Sequence, residues 1–229
     1  MSDGPMGDGT VAPGSDRVRV RRQPTRGSYD RASVDAVLDA GLLAQVGFVD
    51  RGQPWSVPML YARVGDDVYV HGSTGSRAMR LLAGGAPACL TVTLVDGLVL
   101  ARSAFEHSAN YRSVMLVGTF RRIVDDQARL GAFEAFTNRV LPGRWSEVRP
   151  PSRQELAATL ILAMPIGEAS VKSRTGPPSD GDSPDAETDT WAGVLPITTG
   201  FGRPKPAPDL RPEIPLAESV SRLVGLVRW

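Results

Sequence analysis

Residues 42–71 carry the clearest structural signal in the chain and read LLAQVGFVDRGQPWSVPMLYARVGDDVYVH. Short connections rich in Gly and Asp, Asp50–Gly52 and Gly65–Asp66, separate apolar runs in this stretch, as hairpin turns do. The runs predict three strands, namely Leu42–Val49, Gln53–Arg63 and Asp67–His71. Strands joined by such tight turns are antiparallel neighbours, so the stretch predicts an antiparallel sheet.

The remaining apolar segments extend this pattern along the chain. Further strands are predicted at Ala88–Leu94, Leu98–Ala104, Tyr111–Val124, Leu160–Pro165 and Trp191–Thr198, with a turn at Asp96-Gly97. Helices are predicted at Ser33–Gly41 with Ser33 as its cap, Ser76–Ala83, Asp125–Leu141 and Ser219–Val227. About six to eight short antiparallel strands suit a small closed barrel, so we expect a mainly β fold, a β-barrel with flanking helices.

The longest predicted helix, Asp125–Leu141, is amphipathic. Its large apolar side chains recur at helical spacing and predict one buried stripe, formed by Leu130, Phe133, Phe136 and Val140.

Three regions are predicted from composition. Residues 1–27 hold few large apolar side chains and five Arg between Arg17 and Arg26, which predicts a disordered arm. Residues 28–200 form the globular domain, within which the acidic segment 176–190 is an exposed loop. Residues 201–229 form a Pro-rich extension that ends in the short helix.

Composition excludes several classes of protein. The chain has 229 residues and a net charge of +1, which gives no general reason to expect nucleic-acid binding. A single Cys and two His exclude a disulfide framework and a closed Cys/His zinc site, and we expect no bound metal ion. No apolar run is long enough to span a membrane and no signal-peptide core is present, so we expect a cytoplasmic protein without a membrane partner.

Residues 67–80 are the most suggestive local stretch. A strand ends at His71, and a turn rich in Gly, Ser and Thr leads into a helix that carries Arg77 in its first turn. Unpaired N–H groups at the helix start, hydroxyls from Ser73, Thr74 and Ser76, and the Arg77 guanidinium suit a phosphate ester. An ordinary capped helix with a surface Arg fits the same spacing.

Other candidate residues are less specific. Asn110, Tyr111, Arg112 and Ser113 stand just before an apolar strand, where they line a pocket or form a polar loop. The chain has two histidines, His71 and His107. Histidine is the residue whose unperturbed pKa lies near neutrality, but a lone His at a strand end is more often structural than catalytic. Neither a nucleophile elbow, nor a Walker loop, nor a dinucleotide-binding glycine motif is present.

Seven segments together resemble the FMN-binding split barrel of the pyridoxamine 5′-phosphate oxidase superfamily, in its flavin-nucleotide-binding branch related to nitroimidazole reductases. The resemblance covers about residues 27–200. The segments are residues 53–62 (QPWSVPMLYA), 68–77 (VYVHGSTGSR), 89–93 (CLTVT), 110–114 (NYRSV), 142–145 (PGRW), 174–178 (RTGPP) and 191–196 (WAGVLP).

The resemblance implies an antiparallel split barrel that forms a homodimer with FMN at the subunit interface. Arg77 matches the residue that holds the FMN phosphate, helped by Ser76 and Ser73, and His71 matches a histidine near the flavin, which makes it the candidate catalytic residue. The remaining implied flavin contacts are the backbone around Val57, Pro58 and Met59, the segment Tyr111, Arg112 and Ser113, and Trp191.

We therefore expect an FMN-dependent oxidoreductase that reduces a small organic substrate. The chain ends SRLVGLVRW and lacks the C-terminal substrate signature of a true pyridoxamine 5′-phosphate oxidase. The superfamily also includes deazaflavin-dependent reductases and haem-binding proteins, which leaves two alternatives: a deazaflavin reductase, or a non-enzymatic haem- or flavin-binding protein with His71 or His107 as axial ligand.

Overall fold

The structure is a computed structural model that describes residues 13–225 and the backbone of residues 227 and 228. The strands are β1 (Gly27–Ser28), β2 (Leu43–Asp50), β3 (Gln53–Val64), β4 (Asp67–Ser73), β5 (Pro87–Leu100), β6 (Ser108–Thr119), β7 (Arg121–Arg122), β8 (Thr159–Pro165), β9 (Glu168–Arg174), β10 (Gly193–Pro196), β11 (Thr199–Gly200) and β12 (Val227–Arg228). The α-helices are α1 (Arg31–Ala40), α2 (Arg77–Ala83), α3 (Asp126–Val140), α4 (Arg153–Ala158) and α5 (Glu218–Ser221). Short 3-10 helices include Asp16–Val18, Pro24–Arg26 and Arg144–Glu147.

Within the described residues, ten strands form one antiparallel sheet. Its order is β1-β9-β6-β5-β2-β3-β4-β8-β7, with β10 added to β5. This confirms the mainly β, split-barrel fold with flanking helices. The sheet does not close, however, because β1 and β7 are both edges, so the expectation of a closed barrel is wrong.

Strand β3 joins the two halves of the sheet. Its first part, up to Leu60, pairs with β2, and its second part, Tyr61–Val64, pairs with β4. The main core lies inside the curved sheet and includes Val46, Leu90 and Leu116. A second, smaller apolar cluster lies between the outside of β4 and β8 and helix α3.

Strand β5 differs from the sequence prediction. The segments Ala88–Leu94 and Leu98–Ala104 were expected to form a hairpin around Asp96-Gly97, but β5 runs through as one strand. Its register against β6 shifts between Val95 and Gly97, so the Asp-Gly pair forms a bulge instead of a turn. Strand β10 pairs with β5 at this point and approaches Gly97 so closely that a side chain there would meet the Leu195 carbonyl oxygen.

Strand β6 and its surroundings also differ. The predicted strand Tyr111–Val124 begins earlier, at Ser108, and ends at Thr119, after which Arg121–Arg122 pairs with β8 as a separate strand. Strand β9 and helix α4 were not predicted, although the latter carries a capping box between Ser152 and Glu155.

Most helices begin and end close to the predicted positions. Three details of the predictions are wrong: one cap, the burial of one side chain and the length of one helix. Asp30, not Ser33, caps α1, because its carboxylate accepts a hydrogen bond from the Ser33 N–H. Val140 of α3 is 43% exposed, so the predicted stripe is not buried along its whole length. The predicted tail helix Ser219–Val227 is reduced to α5, which ends at Ser221.

The segment predicted as a disordered arm has ordered structure in its second half. Residues 1–12 lie outside the described residues. Val18 is buried, Arg17 forms an ion pair with Glu168, and Gly27 pairs with Lys172 at the start of β1. Residues 13–27 therefore lie against the sheet, which composition alone does not reveal. None of the helices in the described part of the chain is long and apolar enough to cross a bilayer.

Candidate functional site

A first cleft, the Arg77 cleft, opens where β2 and β3 meet the start of α2. Its volume is about 290 Å³, and its walls are apolar except for one guanidinium and one hydroxyl. It is lined by Phe48, Trp55, Val57, Ser76, Arg77 and Ala78. The cleft thus brings together three of the residues that the resemblance implicates, Val57, Ser76 and Arg77.

Two neighbours fix the guanidinium of Arg77 at the mouth of this cleft. It forms an ion pair with Asp50, a buried carboxylate at the end of β2. Its central carbon also lies 5.3 Å from the centre of the Trp55 ring, in a cation–π contact. Because Asp50 partly balances the charge of Arg77, an anion in the cleft would be held by directed hydrogen bonds more than by net charge.

The two serines of this region shape the loop between β4 and α2. The Ser76 hydroxyl caps α2 by accepting a hydrogen bond from the Met79 N–H at 3.4 Å. The Ser73 hydroxyl accepts one from the Gly75 N–H at 3.1 Å and stabilises the turn. Helix α2 has only seven residues, so any phosphate affinity here depends on the side chains of Arg77 and Ser76.

A second cleft, the His71 cleft, lies on the other side of β4, under α3. It has a volume of about 390 Å³ and a largely apolar lining. It is lined by His71, Phe133, Phe136, Thr137, Val140, Leu141 and Arg144. Three of the four side chains predicted to form one buried stripe, Phe133, Phe136 and Val140, therefore line a cleft.

The imidazole of His71 is held among aromatic rings with one nitrogen unused. Its ring centre lies 4.3 Å from that of Phe136 and 6.1 Å from that of Phe133. Its Nδ1 atom is buried and has no hydrogen-bond partner among residues 13–225. Burial lowers the pKa of His71 below its ordinary value of 6.5, so the ring stays neutral at pH 7. A neutral imidazole in an apolar cleft is the donor that haem iron takes as an axial ligand, so these residues fit that group.

The second histidine is placed differently. His107 lies exposed in the loop before β6, and its Nδ1 atom is 2.8 Å from the Ser103 carbonyl oxygen. It borders neither cleft. Of the two alternatives that the sequence leaves open for an axial ligand, only His71 has the surroundings that this role requires.

The other sequence-predicted residues lie outside both clefts. Pro58 and Met59 follow Val57 along β3. On β6, Tyr111 is followed by Arg112, which forms a bidentate ion pair with Asp96, and by Ser113, which shares a hydrogen bond with Thr93. Trp191 is exposed just before β10. Within one chain these residues do not join the Arg77 cleft.

Sequence reasoning missed Asp50 and Trp55 as partners of Arg77. Asp50 lies in a predicted hairpin turn and Trp55 in a segment that carries the family resemblance, but neither pattern links them to Arg77. The available signal was that an Asp ends a buried strand directly before a turn, which is a costly place for a carboxylate without a cationic partner.

Comparison with known proteins gives one family match and several solved structures with the same fold. Residues 30–173 match the family model described as pyridoxamine 5′-phosphate oxidase. No curated protein sequence matches the chain.

Two solved structures are similar over nearly the whole chain. The FAD and haem binding protein from Mycobacterium smegmatis is 46% identical, with a TM-score of 0.83, over 87% of this chain and 98% of that one. The flavocytochrome Anf3 from Azotobacter vinelandii is 40% identical, with a TM-score of 0.87, over 94% of this chain and 100% of that one. A candidate 5-nitroimidazole antibiotic resistance protein from Bacteroides thetaiotaomicron shares the fold, at 19% identity and a TM-score of 0.53, over 64% of this chain and 85% of that one.

Proposed function

The chain belongs to the pyridoxamine 5′-phosphate oxidase family, and we propose that it is a redox protein of this family that binds both a flavin nucleotide and a haem. The observation that carries the proposal is the position of His71, which lines an apolar cleft and whose buried Nδ1 atom has no hydrogen-bond partner among the described residues. A polar atom in that position is costly unless a ligand engages it.

The His71 cleft supports the haem half of the proposal. Its aromatic and aliphatic lining suits a flat apolar macrocycle, and His71 would supply the axial nitrogen. Arg144, which is ion-paired with Glu147, also lines the cleft, and its guanidinium suits a propionate carboxylate. The relative at 46% identity is an FAD and haem binding protein, which agrees with this assignment.

The Arg77 cleft supports the flavin half. Arg77 and Ser76 would bind a phosphate of the nucleotide, while Trp55 and Val57 offer apolar surface to its rings. The M. smegmatis relative favours FAD, whereas the cleft itself also suits the single phosphate of FMN. We propose FAD as the first choice and FMN as the second.

The chain would then position two redox groups on opposite sides of β4. A bound flavin supplies one- or two-electron chemistry and a bound haem supplies one-electron chemistry. The residues of this chain bind and orient both groups, and the apolar lining of the His71 cleft limits the access of water. As expected from the sequence, we propose that the reaction of this protein is the reduction of a small organic substrate at the flavin.

We also propose that the protein acts as a homodimer. The paired strands β2 and β3 present apolar side chains on their outer face, where Leu43 lies in register with Leu60 and the two are 50% and 45% exposed. Residues 53–56 of β3 are exposed at every position, on both faces of the strand. A second copy would cover this surface, and its β6 segment, including Tyr111 and Ser113, would be available to complete the flavin site.

Cofactor reconstitution tests the proposal. The full chain is stripped of cofactors, mixed in parallel with FAD, FMN, a deazaflavin or haemin, dialysed, and examined by absorption and fluorescence. We expect one flavin nucleotide and haem to be retained together, each at about one per chain. Retention of the deazaflavin alone would favour the deazaflavin reductase, and a protein that retains a flavin but no haem would reduce the proposal to a simple flavoprotein.

A further inference from the structure

A third cleft lies at the other end of the sheet, where β9 ends beside the 3-10 helix Pro24–Arg26. It has a volume of about 280 Å³. Its lining is strongly polar and holds two guanidiniums and four hydroxyls: Arg26, Arg174, Thr25, Ser173, Thr175 and Ser179. No acidic side chain from the described part of the chain lines it. We call it the Arg174 cleft.

Arg174 is a buried cation that has no carboxylate partner within residues 13–225. It is 7% exposed, and its hydrogen bonds go to the Asn110 Oδ1 atom at 2.6 Å and to the carbonyl oxygens of Gly176 and Pro177 at 3.2 and 2.9 Å. All three acceptors are neutral, and they use only part of the donor set of a guanidinium. Burial of a charge is costly unless an opposite charge lies nearby.

The surroundings hold Arg174 in one orientation. Gly176 has a positive φ of 102°, and its carbonyl oxygen accepts hydrogen bonds from both Arg174 and the Asn110 amide, the latter at 3.1 Å. Asn110 is itself buried. The guanidinium is therefore fixed before any ligand binds, which lowers the entropic cost of binding.

Asp180, the acid that follows the cleft residue Ser179, does not neutralise the cleft. Asp180 is buried, and its carboxylate accepts hydrogen bonds from the Arg102 backbone N–H at 2.6 Å and from the Arg102 guanidinium at 3.1 Å. Arg26, which faces Arg174 from the N-terminal segment, forms no hydrogen bond or ion pair from its side chain to any residue in the described part of the chain. Two cations thus share one cleft, to which the described residues contribute no anionic side chain.

We propose that the Arg174 cleft is a binding site for a phosphate group of a small molecule, separate from the Arg77 cleft of the same chain. Donors reach the cleft from two directions, with Arg26 and Thr25 on one side and Arg174, Ser173, Thr175 and Ser179 on the other. A tetrahedral oxyanion presents oxygens in both directions, whereas the two oxygens of a planar carboxylate engage fewer of these donors.

The two sites are distant along the sheet. Phe48, in the Arg77 cleft, pairs with Ala88, whereas Arg174 pairs with Tyr111 and thereby with Val95, seven residues further along β5. At roughly 3.3 Å per residue this separates the two clefts by more than about 20 Å. One phosphate cannot contact both sites within a single chain.

Calorimetric titration of the full-length protein with inorganic pyrophosphate, and separately with inorganic phosphate, tests the proposal. Arg26→Gln is the informative variant because the Arg26 side chain supports no other described residue. We expect saturable binding to the wild type, a loss of about ten- to hundredfold in affinity for Arg26→Gln, and partial recovery in Arg26→Lys.

Two controls separate this site from diffuse charge and from the Arg77 cleft. Arg22→Gln removes the same charge four residues earlier, at an exposed side chain that does not line the cleft, and it should leave the affinity unchanged. Arg77→Gln should lower binding at the Arg77 cleft only and leave unchanged the affinity of the site that Arg26→Gln weakens. The proposal is overturned if the wild type binds neither probe, if Arg22→Gln weakens binding as much as Arg26→Gln does, or if only Arg77→Gln abolishes binding.

Discussion

The guanidinium of Arg77 lies between the Asp50 carboxylate and the Trp55 ring, so its orientation is set before a ligand arrives. In the proposed flavin site, the Arg77 side chain contacts a phosphate of the nucleotide. Its exposed position at the cleft mouth means that it can be replaced without creating a cavity in the core.

Replacement of Arg77 by Gln should weaken flavin retention by about ten- to hundredfold, because charge-assisted hydrogen bonds to the phosphate are lost. Equilibrium dialysis against the flavin measures the effect. Arg80→Gln, one turn later on the same helix and exposed, is the matched control and should bind as the wild type does. Equal affinities for all three proteins would remove Arg77 from its proposed role.

The depressed pKa of His71 makes a prediction about stability. Burial favours the neutral ring in the folded state, whereas the unfolded chain takes up a proton as the pH falls below the ordinary value of 6.5. The unfolded state then binds more protons, so this residue lowers the free energy of unfolding as the pH drops from 7 to 5.

Urea unfolding at several pH values, without added haem, measures the free energy of unfolding of the wild type and of His71→Leu. We expect the wild type to lose more stability than the variant across this range. If the free energy of unfolding changed equally with pH in the two proteins, His71 would have to titrate alike in the folded and unfolded chains.

Among the site residues, only those that lie close together in the sequence could be predicted. Ser76 and Arg77 could be predicted because their chemistry and spacing are local to one turn and one helix. The Asp50 partner of Arg77 could not, because it comes from another strand and the contact exists only once the sheet is formed. The same holds for Arg26 and Arg174, which are far apart in the chain.

At the scale of elements, helix α3 forms one wall of the His71 cleft. Asp125 caps it by accepting a hydrogen bond from the Ala128 N–H at 2.8 Å. Phe136 from its middle contacts the His71 ring, and Val140 near its end reaches the cleft. The position of the helix therefore controls the shape of the cleft.

Removal of this cap by Asp125→Ala should cost about 1 kcal/mol and lower the melting temperature by about 2–4 °C. Thermal unfolding followed by circular dichroism measures the change. Asp125→Asn keeps a capping oxygen and should behave almost as the wild type does. An unchanged melting temperature in the Ala variant would show that the cap adds nothing to stability.

Strand β5 illustrates what local patterns miss at this scale. Asp96-Gly97 has the composition of a hairpin turn, yet Arg112 of β6 holds the Asp96 side chain and β10 pairs with the strand beside it. These contacts stabilise a bulge within a continuous strand. The helices α1, α2 and α3 were predictable to within a few residues because caps and apolar spacing are local signals.

At the scale of the whole molecule, the outer face of β2 and β3 is the surface proposed to meet a second copy. Leu60→Glu places a charge on this face and should shift the protein from dimer to monomer, because burial of an unpaired carboxylate is unfavourable. Sedimentation velocity measures the mass.

The control is Val124→Glu, which adds the same charge at a 73% exposed position between β7 and α3, away from this face. It should remain a dimer. A monomeric wild type, or a Leu60→Glu variant that remains dimeric, would contradict the proposed interface.

The sequence predicts an antiparallel sheet correctly, but it does not predict whether that sheet closes into a barrel. Alternating apolar residues and tight turns indicate antiparallel strands. Whether the edges of a sheet meet depends on pairings such as β6 with β9 and β4 with β8, which join segments far apart in sequence. The open sheet with β1 and β7 at its edges follows from those long-range pairings.

The central claim is that His71 ligates a haem while the flavin binds elsewhere in the same chain. The most direct measurement is the absorption spectrum of haem- and flavin-loaded protein, recorded for wild type, His71→Leu and His107→Leu. We predict that His71→Leu loses the haem Soret band and keeps the flavin bands, and that His107→Leu keeps both. A full Soret band in His71→Leu, or its loss in His107→Leu alone, would contradict the claim.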